Sequence, residues 1–399
     1  MRDLTPEIAN KHRWIEEQLI QIARQYGYDE IRFPTLEQSS LFEKSIGIET
    51  DVIGQEMYQF VDKNNDLISL RPEGTAGCLR SCISNGLIQR QRQKLYYVGQ
   101  MFRRERPQKG RYREFTHFGI EAFGFPSGLI DVELITLSND FWKLLNIKSP
   151  TLHINYLGSA ASRAKYRESL YRYWQTHFSL LSEDEKIRAQ QNPLRLLDSK
   201  NPSLSTMIKQ APSIQEFLSD HERQTYQDIK QQLNKLGIQF VENNSLVRGL
   251  DYYSDFIFEW ITDDLGAQGT ICGGGRYDVL TENMGCATPA IGFAIGIDRL
   301  ALLIESIPKQ TSIYLCSEDS DIISQQLDRI QKLRSSLNFN IYVDFKPKKL
   351  KKIHQAQDKG FTHSIIFEHD QYKFIDHQKQ TIETYSFDRL TSQLKQLEH

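Results

Sequence analysis

The stretch from residue 95 to residue 124 constrains this chain more than any other. Two apolar and aromatic runs, Leu95–Phe102 and Phe115–Phe123, flank a short loop. Runs of this length bounded by Gly and Pro indicate strands, so the stretch predicts a hairpin. Its loop carries the cations Arg103, Arg104, Arg106, Lys109, Arg111 and Arg113 against Glu105 and Glu114. Cations this close repel one another, so the loop either binds a polyanion or is a charge run that faces only water.

Composition narrows the class of protein. The 399 residues predict two or three domains at roughly 100–200 residues each. A hydrophobic content of 39% and a net charge of −2 are those of a globular chain that binds nucleic acid only through local patches. No apolar run approaches the ~18 residues of a membrane span, and the N-terminus lacks a signal-peptide core. Five cysteines fit reduced thiols, so we expect a cytoplasmic protein.

Hydrophobic periodicity and turn residues predict the order of elements. The first third predicts a helix that starts at Thr5-Pro6, a strand Tyr28–Phe33, a hairpin of Met57–Val61 with Leu67–Leu70, and a helix opened by Gly74-Thr75. The middle predicts a helix Asp131–Leu145, a strand Thr151–Tyr156, a polar helical stretch from about Ser159 to Asn243, strands Phe256–Ile261 and Thr270–Cys272, and an apolar helix Ala290–Ile304. After a linker at Pro308–Thr311, strands and helices alternate, which predicts a small, mostly parallel α/β domain.

Five arginines fall at element ends or in glycine-rich surroundings, where the backbone leaves room for a ligand: Arg71, Arg103, Arg111, Arg248 and Arg299. A guanidinium binds phosphate or carboxylate bidentately and stays charged near pH 7. Taken together, the set indicates a triphosphate site, although each arginine alone also fits an ordinary surface residue or ion pair. No GxxxxGK[ST] motif exists, so a P-loop is excluded, and GGGRYD is not GxGxxG.

Five motifs in one order carry a specific resemblance: RPEGT (Arg71–Thr75), FRRERPQKGRYREF (Phe102–Phe115), LVRGLDYY (Leu246–Tyr253), GGGRYD (Gly273–Asp278) and IGFAIGIDRL (Ile291–Leu300). Together they resemble the bacterial histidyl-tRNA synthetases, from Met1 to about Glu305 and more weakly over Ser312–His399. The resemblance implies an α+β fold in which an antiparallel class II sheet is flanked by helices. It also implies four segments, namely a catalytic core at 1–157 and 245–307, a helical insertion at 158–244 and an anticodon-binding α/β domain at 311–399.

The implied activity is histidine–tRNA ligation. Such enzymes activate L-histidine with ATP to histidyl-adenylate and pyrophosphate, assisted by Mg²⁺, and then transfer histidine to the 3′ end of histidine tRNA. The resemblance places the first helix and the strand ending at Pro34 at the dimer-forming motif of class II synthetases, so it also implies a homodimer. One alternative is a catalytically silent relative that serves as a regulatory subunit of ATP phosphoribosyltransferase. A nucleic-acid-binding module without catalysis is another, but it leaves Glu73, Glu121 and the GLDYY segment unexplained.

The resemblance also implies roles for individual residues, with no protein-held metal ligands. Catalysis is expected from Arg248 and Arg103. Histidine binding is expected from Glu73, Thr75, Arg103, His117, Glu121, Arg248, Tyr252 and Tyr253, ATP binding from Arg103, Glu105, Arg111, Phe115 and Arg299, and tRNA binding from Arg106 and Gln108. A carboxylate and a phenol at the two ring nitrogens match a neutral imidazole, which has one donor and one acceptor. Core packing of the tyrosines and an ion pair of Glu121 remain the structural alternatives.

Two positions depart from the family pattern, and the role of one lysine-rich run is open. His117 stands where glutamine is usual, so we expect histidine binding to weaken below about pH 6.5, the ordinary histidine pKa. Asp298 stands where glutamate is commoner. The lysines of Lys346–Lys352 either contact tRNA phosphates or face water, and the sequence does not predict which C-terminal residues read the anticodon.

Overall fold

The computed structural model describes residues 2–46, 52–105, 108–148, 150–199, 201–247, 250, 252–347 and 354–397. The chain forms two compact units, Met1–Glu305 and Ser306–His399. Across the described residues, no helix combines the length and the apolar character needed to cross a membrane.

The described residues form helices and strands in both units. The α-helices are α1 (Pro6–Gln25), α2 (Ser39–Ile46), α3 (Thr75–Ser84), α4 (Leu129–Leu144), α5 (Ala160–Thr176), α6 (Glu183–Gln191), α7 (Ser205–Gln210), α8 (Asp220–Lys235), α9 (Asp278–Asn283), α10 (Ile297–Leu303), α11 (Ser320–Gln325), α12 (Leu327–Ser336), α13 (His354–Asp358) and α14 (Phe387–Gln396). The strands are β1 (Asp29–Glu30), β2 (Leu36–Gln38), β3 (Gln59–Val61), β4 (Leu67–Leu70), β5 (Gln93–Phe102), β6 (Glu114–Phe123), β7 (Thr151–Tyr156), β8 (Phe240–Glu242), β9 (Ser254–Ile261), β10 (Thr270–Arg276), β11 (Ala290–Gly296), β12 (Ser312–Ser317), β13 (Asn340–Val343), β14 (His363–Phe367), β15 (Tyr372–Asp376) and β16 (Thr381–Tyr385).

An eight-stranded sheet organises the first unit, in the order β1-β5-β6-β11-β10-β9-β7-β8. The predicted basic hairpin is confirmed: β5 and β6 pair antiparallel from Gln93↔Phe123 to Phe102↔Glu114. The inner strands are antiparallel, as predicted, whereas each edge strand, β1 and β8, lies parallel to its neighbour. A separate three-stranded sheet, β2-β4-β3, contains the predicted hairpin of β3 and β4.

Residues 290–304 correct the sequence-based prediction of one long apolar helix. Ala290–Gly296 is strand β11, and only Ile297–Leu303 is helical. Strand β11 lies between β6 and β10, and most of its residues are buried, so its sequence is apolar throughout rather than alternating. Such a run cannot be told from a buried helix by periodicity alone.

The two faces of the large sheet have different roles. Phe118 of β6 meets Phe141 of helix α4 edge-to-face at 5.6 Å between ring centroids, so this face is core. Because side chains alternate along a strand, His117 and Glu121 point to the opposite face. Among the described residues, the α-helices α5 to α8 occupy the polar stretch between β7 and β8.

The second unit contains a five-stranded sheet in the order β13-β12-β14-β15-β16. Strand β12 is parallel to β13 and β14, but β14-β15 and β15-β16 are antiparallel, so the prediction of a mostly parallel domain is wrong in its second half. Each of these last two connections has only four residues, whereas a parallel crossover needs about a dozen. Short connections therefore force hairpins.

Candidate active site

A pocket collects most of the predicted site residues from distant parts of the chain. Those that line it are Glu73, Thr75, Arg103, Glu105, Arg111, Phe115, His117, Tyr252, Tyr253 and Arg299. They come from the start of α3, the β5–β6 hairpin, the segment before β9 and the start of α10. The tertiary structure therefore brings guanidinium groups, carboxylates and phenols to one cavity.

Four predicted residues are not among the described residues that line this pocket. Arg248 and Arg106 fall outside the described residues. Gln108 is exposed at the tip of the β5–β6 hairpin, where its carbonyl accepts from the Arg111 amide at 2.9 Å. Glu121 is buried and does not line the pocket. It does contact Thr75, which lines the pocket.

At one end of the pocket, the start of helix α3 holds the carboxylate of Glu73. Its Oε2 accepts from the Thr75 amide at 2.7 Å, and its Oε1 accepts from the Ala76 amide at 2.8 Å. Free amides and the helix dipole both favour a negative charge at this position. Burial nevertheless raises the pKa of Glu73, against the effect of these hydrogen bonds. The Tyr252 hydroxyl lies 3.5 Å from Glu73 Oε2.

Glu121 lies behind Thr75 at the same end of the pocket. The Thr75 hydroxyl donates to its Oε1 at 2.8 Å, and the Tyr277 hydroxyl donates to its Oε2 at 2.5 Å. Burial raises the pKa of Glu121 to about 8, although both hydrogen bonds act in the opposite direction. A Cβ at Gly292, opposite Glu121 on β11, would collide with this carboxylate. Glycine at 292 therefore leaves the space that Glu121 occupies.

Sequence reasoning missed two tyrosines at this end. Tyr277 belongs to the GGGRYD motif, and the family resemblance assigned no role to this tyrosine. Tyr97 lines the pocket from β5, and its ring lies against Gly119, where a Cβ would overlap it. A phenol that follows a glycine-rich strand was the available signal for Tyr277. Nothing in the local sequence singled out Tyr97.

His117 lies between the two ends of the pocket. Its ring packs edge-to-face on Phe115 at 4.9 Å, and its Nδ1 is buried with no hydrogen-bond partner among the described residues. Burial, followed by the charges of Arg103, Arg299 and Arg71, holds the pKa of His117 well below its ordinary value. The sequence-based expectation for pH used the ordinary histidine pKa, so with this downward shift we expect histidine binding to weaken only at a lower pH.

The other end of the pocket is cationic. Arg103 Nε donates to the Pro72 carbonyl at 2.8 Å, and its guanidinium carbon lies 5.5 Å from the Phe115 ring centroid. Arg299 Nε donates to the Gly110 carbonyl at 3.1 Å. Burial, then the charge of Arg111, lowers the pKa of Arg299, with a smaller contribution from Arg103. The charges of Arg111 and Arg103 therefore act against the charged form of Arg299, while the charge of Glu105 acts in its favour.

Glu105 partly balances these cations. Its carboxylate lies 3.0 Å from Arg111 Nε and 4.0 Å from Arg103 Nη1. The Arg111–Glu105 approach is an ion pair without hydrogen-bond alignment, because neither Arg111 Nε nor Glu105 Oε2 has a hydrogen-bond partner among the described residues. Both groups therefore keep hydrogen-bonding capacity for a ligand.

Arg71 does not belong to this set, which corrects the sequence-based grouping. Its Nε donates to the Gln100 carbonyl at 2.8 Å, and its Nη1 donates to the Phe33 carbonyl at 2.9 Å. Arg71 is buried and does not line the pocket. Its guanidinium therefore joins backbone segments rather than facing a ligand.

Asp298 lines the pocket and binds two other segments of the chain. Its Oδ2 accepts from the Thr116 amide at 2.8 Å, and its Oδ1 pairs with Arg2. The carboxylate therefore joins the start of α10, strand β6 and the N-terminal segment. Although aspartate is shorter than the glutamate that is commoner here in the family, Asp298 reaches both the Thr116 amide and Arg2.

Comparisons with known proteins identify the family of the chain. A family model described as "Histidyl-tRNA synthetase" matches residues 1–300. A histidine–tRNA ligase of Legionella pneumophila (strain Lens) is 46% identical over 344 residues, which cover 84% of this chain and 81% of that protein. The crystal structure of apo S. aureus histidyl-tRNA synthetase matches with a TM-score of 0.79 and 31% identity, over 99% of this chain and 98% of that one.

A third likeness concerns the regulatory alternative. A structure titled ATP phosphoribosyltransferase regulatory subunit/histidyl-tRNA synthetase, from Bacillus halodurans C, has a TM-score of 0.66 and covers 92% of this chain and 96% of its own. At 22% identity it shares the fold alone. The regulatory reading is therefore not favoured over the ligase reading, which rests on the relative at 46% identity. The chain belongs to the histidyl-tRNA synthetase family.

Proposed function

We propose that this pocket catalyses both steps of histidine–tRNA ligation. As a histidyl-tRNA synthetase the chain is an aminoacyl-tRNA ligase, with ATP, L-histidine and tRNA as its substrates. In the first step, a carboxylate oxygen of histidine attacks the α-phosphorus of ATP, and the bond to pyrophosphate breaks. In the second step, a hydroxyl of the terminal tRNA ribose attacks the carbonyl carbon of the adenylate. AMP leaves as the new ester forms.

A single observation carries the proposal: Arg103, Arg111 and Arg299 line the same cavity as Glu73, Tyr252 and Tyr253. Charge grows on the equatorial oxygens of the α-phosphate during attack, and fixed cations stabilise that charge. Positioning supplies much of the remaining rate, because the protein does little covalent chemistry. ATP enters as its Mg²⁺ complex, in which the phosphates hold the ion.

At the acidic end we assign histidine binding. Glu73 and Thr75 bind the α-ammonium, with the neutral His117 as a further acceptor through a ring nitrogen. Glu121 and Tyr253 face the two nitrogens of the imidazole, and Tyr252 lines the slot. An analogue without a matching donor or acceptor would leave a buried polar group unpaired, which can reject it by about 10⁴-fold.

At the cationic end we assign ATP and the reacting atoms. Arg103 binds the α-phosphate and the histidine carboxylate, and Arg248 stabilises the same phosphate during attack. Arg111 and Arg299 bind the γ-phosphate, Phe115 stacks on adenine and Glu105 contacts its edge. The half-exposed position of Phe115 beside Arg103 supports a stacking role.

Further parts of the proposal concern tRNA and assembly. Arg106 and Gln108 contact the acceptor end of the tRNA, and residues 311–399 read the anticodon. Residues 1–157 and 245–307 form the catalytic core, and residues 158–244 form a helical insertion in it. A homodimer is supported by exposed apolar side chains on the three-stranded sheet, among them Leu36, Phe60, Val61 and Leu67. A cytoplasmic location follows from the role in protein synthesis.

The test is histidine-dependent ATP–pyrophosphate exchange, followed by aminoacylation of histidine tRNA by the purified chain. Exchange that needs histidine, and is lost in Arg248→Ala, supports the proposal. Binding of histidine without exchange would instead favour a regulatory protein. Sedimentation of the same preparation tests the homodimer.

A further inference from the structure

The segment between β8 and β9 carries Tyr252 and Tyr253 into the pocket. Its described residues belong to neither helix nor strand. The two tyrosine rings pack together at 4.7 Å, and Tyr252 packs on Tyr277 at 5.9 Å. A shift of this segment would therefore reach Glu121 through the Tyr277 hydroxyl.

Two side chains from outside the segment bind its ends. Near the start of α5, Arg163 Nη1 donates to the Tyr253 carbonyl at 2.6 Å. On β7, Asn155 Nδ2 donates to the Leu246 carbonyl at 3.0 Å, and Asn155 is almost fully buried. A hydrogen bond from a charged donor is stronger than one between neutral groups, so Arg163 is the stronger anchor.

The position of Arg163 is itself supported. Glu222 at the start of α8 accepts from the Ser159 amide at 2.6 Å and from the Ser162 hydroxyl at 2.8 Å. It also accepts from the Ser219 amide at 2.6 Å. These bonds connect the first turn of α5 to the first turn of α8, so Arg163 projects from a braced helix end.

We infer that Arg163 and Asn155 are positioning residues for histidine binding, which hold the two ends of the segment so that Tyr252 and Tyr253 face the pocket. The inference rests on the proposed function of this pocket. It gives the helical stretch α5–α8 a part in amino-acid activation before any tRNA is bound. Neither residue lines the pocket, so each acts through the tyrosines.

ATP–pyrophosphate exchange without tRNA tests this inference. In Arg163→Ala the KM for histidine should rise about tenfold, since a buried carbonyl loses a charged donor, while the KM for ATP stays within about twofold. Arg163→Lys, which can still donate, should recover most of the loss. Asn155→Ala should raise the histidine KM about threefold, because its donor is neutral.

Arg167→Ala is the matched control, because Arg167 lies one turn further along α5 and is exposed. It should leave both KM values unchanged. An unchanged histidine KM in Arg163→Ala, or equal rises in both KM values, would overturn the inference. If Arg163→Ala does not fold, the same selective rise must appear in Arg163→Met, which keeps the length of the side chain but cannot donate, and its absence there is equally decisive. Wild-type protein without histidine-dependent exchange would refute the proposed function instead.

Discussion

The two ends of the pocket are built in opposite ways. At the acidic end, Glu73 and Glu121 are buried and already hydrogen-bonded, to helix amides, a threonine and a tyrosine. At the cationic end, Arg103 and Arg111 keep 20% and 36% of their side-chain surface exposed around Glu105. At the acidic end, the carboxylates already have hydrogen-bond partners before a ligand binds. At the cationic end, like charges lie near one another, and a bound anion would neutralise them.

The difference indicates how each end selects its ligand. A preorganised, buried network discriminates by leaving polar groups unpaired when the wrong side chain enters. A partly exposed cation cluster binds by charge and tightens when phosphates neutralise it. Substitutions at the acidic end should therefore act on histidine alone, and substitutions at the cationic end should act on catalysis.

The largest effect is expected from Arg103→Ala. Arg103 belongs to the cationic end but also donates to the carbonyl of Pro72, next to Glu73, so its removal should lower kcat/KM for pyrophosphate exchange by about 10³-fold, the order of magnitude for loss of a transition-state donor. The neighbouring Arg104 is exposed, and Arg104→Ala should change the rate little. Similar losses in both variants would mean that general charge, not position, supplies the rate.

Glu121→Gln should break the acidic end selectively. The amide keeps the size of the side chain but cannot accept from both Thr75 and Tyr277 while also facing a ligand N–H. We expect the KM for histidine to rise about 10²-fold with the KM for ATP nearly constant. Glu114→Gln, on the exposed end of the same strand, is the control. A rise in the ATP KM of equal size would remove the distinction between the two ends.

Gly292→Ala tests the same carboxylate from the opposite strand. The new methyl group would displace Glu121, so the histidine KM should rise about tenfold and the free energy of unfolding should fall by about 1–3 kcal/mol. Gly54→Ala adds a methyl group with no neighbour within 4 Å and should change the free energy of unfolding by less than about 0.5 kcal/mol. Kinetics and urea denaturation of both variants measure these changes.

The smallest expected effect is the pH dependence of His117. Its pKa is lowered in the folded state, so below pH 6.5 the unfolded chain binds a proton that the folded chain does not. The free energy of unfolding should therefore fall as pH drops from 6.5 towards the folded-state pKa, by up to about 1.4 kcal/mol per pH unit for this group. Above about pH 8, His117 is neutral in both states and contributes no slope.

Urea denaturation between about pH 5.5 and 7 compares wild type with His117→Gln. The variant should lose less stability on acidification, and His221→Gln, at an exposed position, should follow wild type. Burial also lowers the pKa values of His12, which is buried, and His153, which is half-buried, so the difference between variants is the relevant quantity. Parallel curves for wild type and His117→Gln would show that His117 titrates normally.

Much of the fold could be predicted from local pattern. The β5–β6 hairpin, the helix that opens at Thr75 and the β3–β4 hairpin follow from apolar runs and turn residues, which are properties of neighbouring positions. The prediction failed at 290–304 and in the second half of the C-terminal sheet. Whether a uniformly apolar run is strand or helix depends on what covers it, and that is decided far away in the chain.

The sequence by itself determined which chemical groups are available: a set of arginines, two acidic residues and a tyrosine pair, in a recognisable order. Only the tertiary structure decided their use. It placed Arg71 against backbone carbonyls, gave Glu121 a partner in Tyr277, and lowered the pKa of His117 by burial among cations. Charge and hydrogen-bonding capacity belong to a residue, but desolvation and partner distance depend on long-range packing, which no local pattern records.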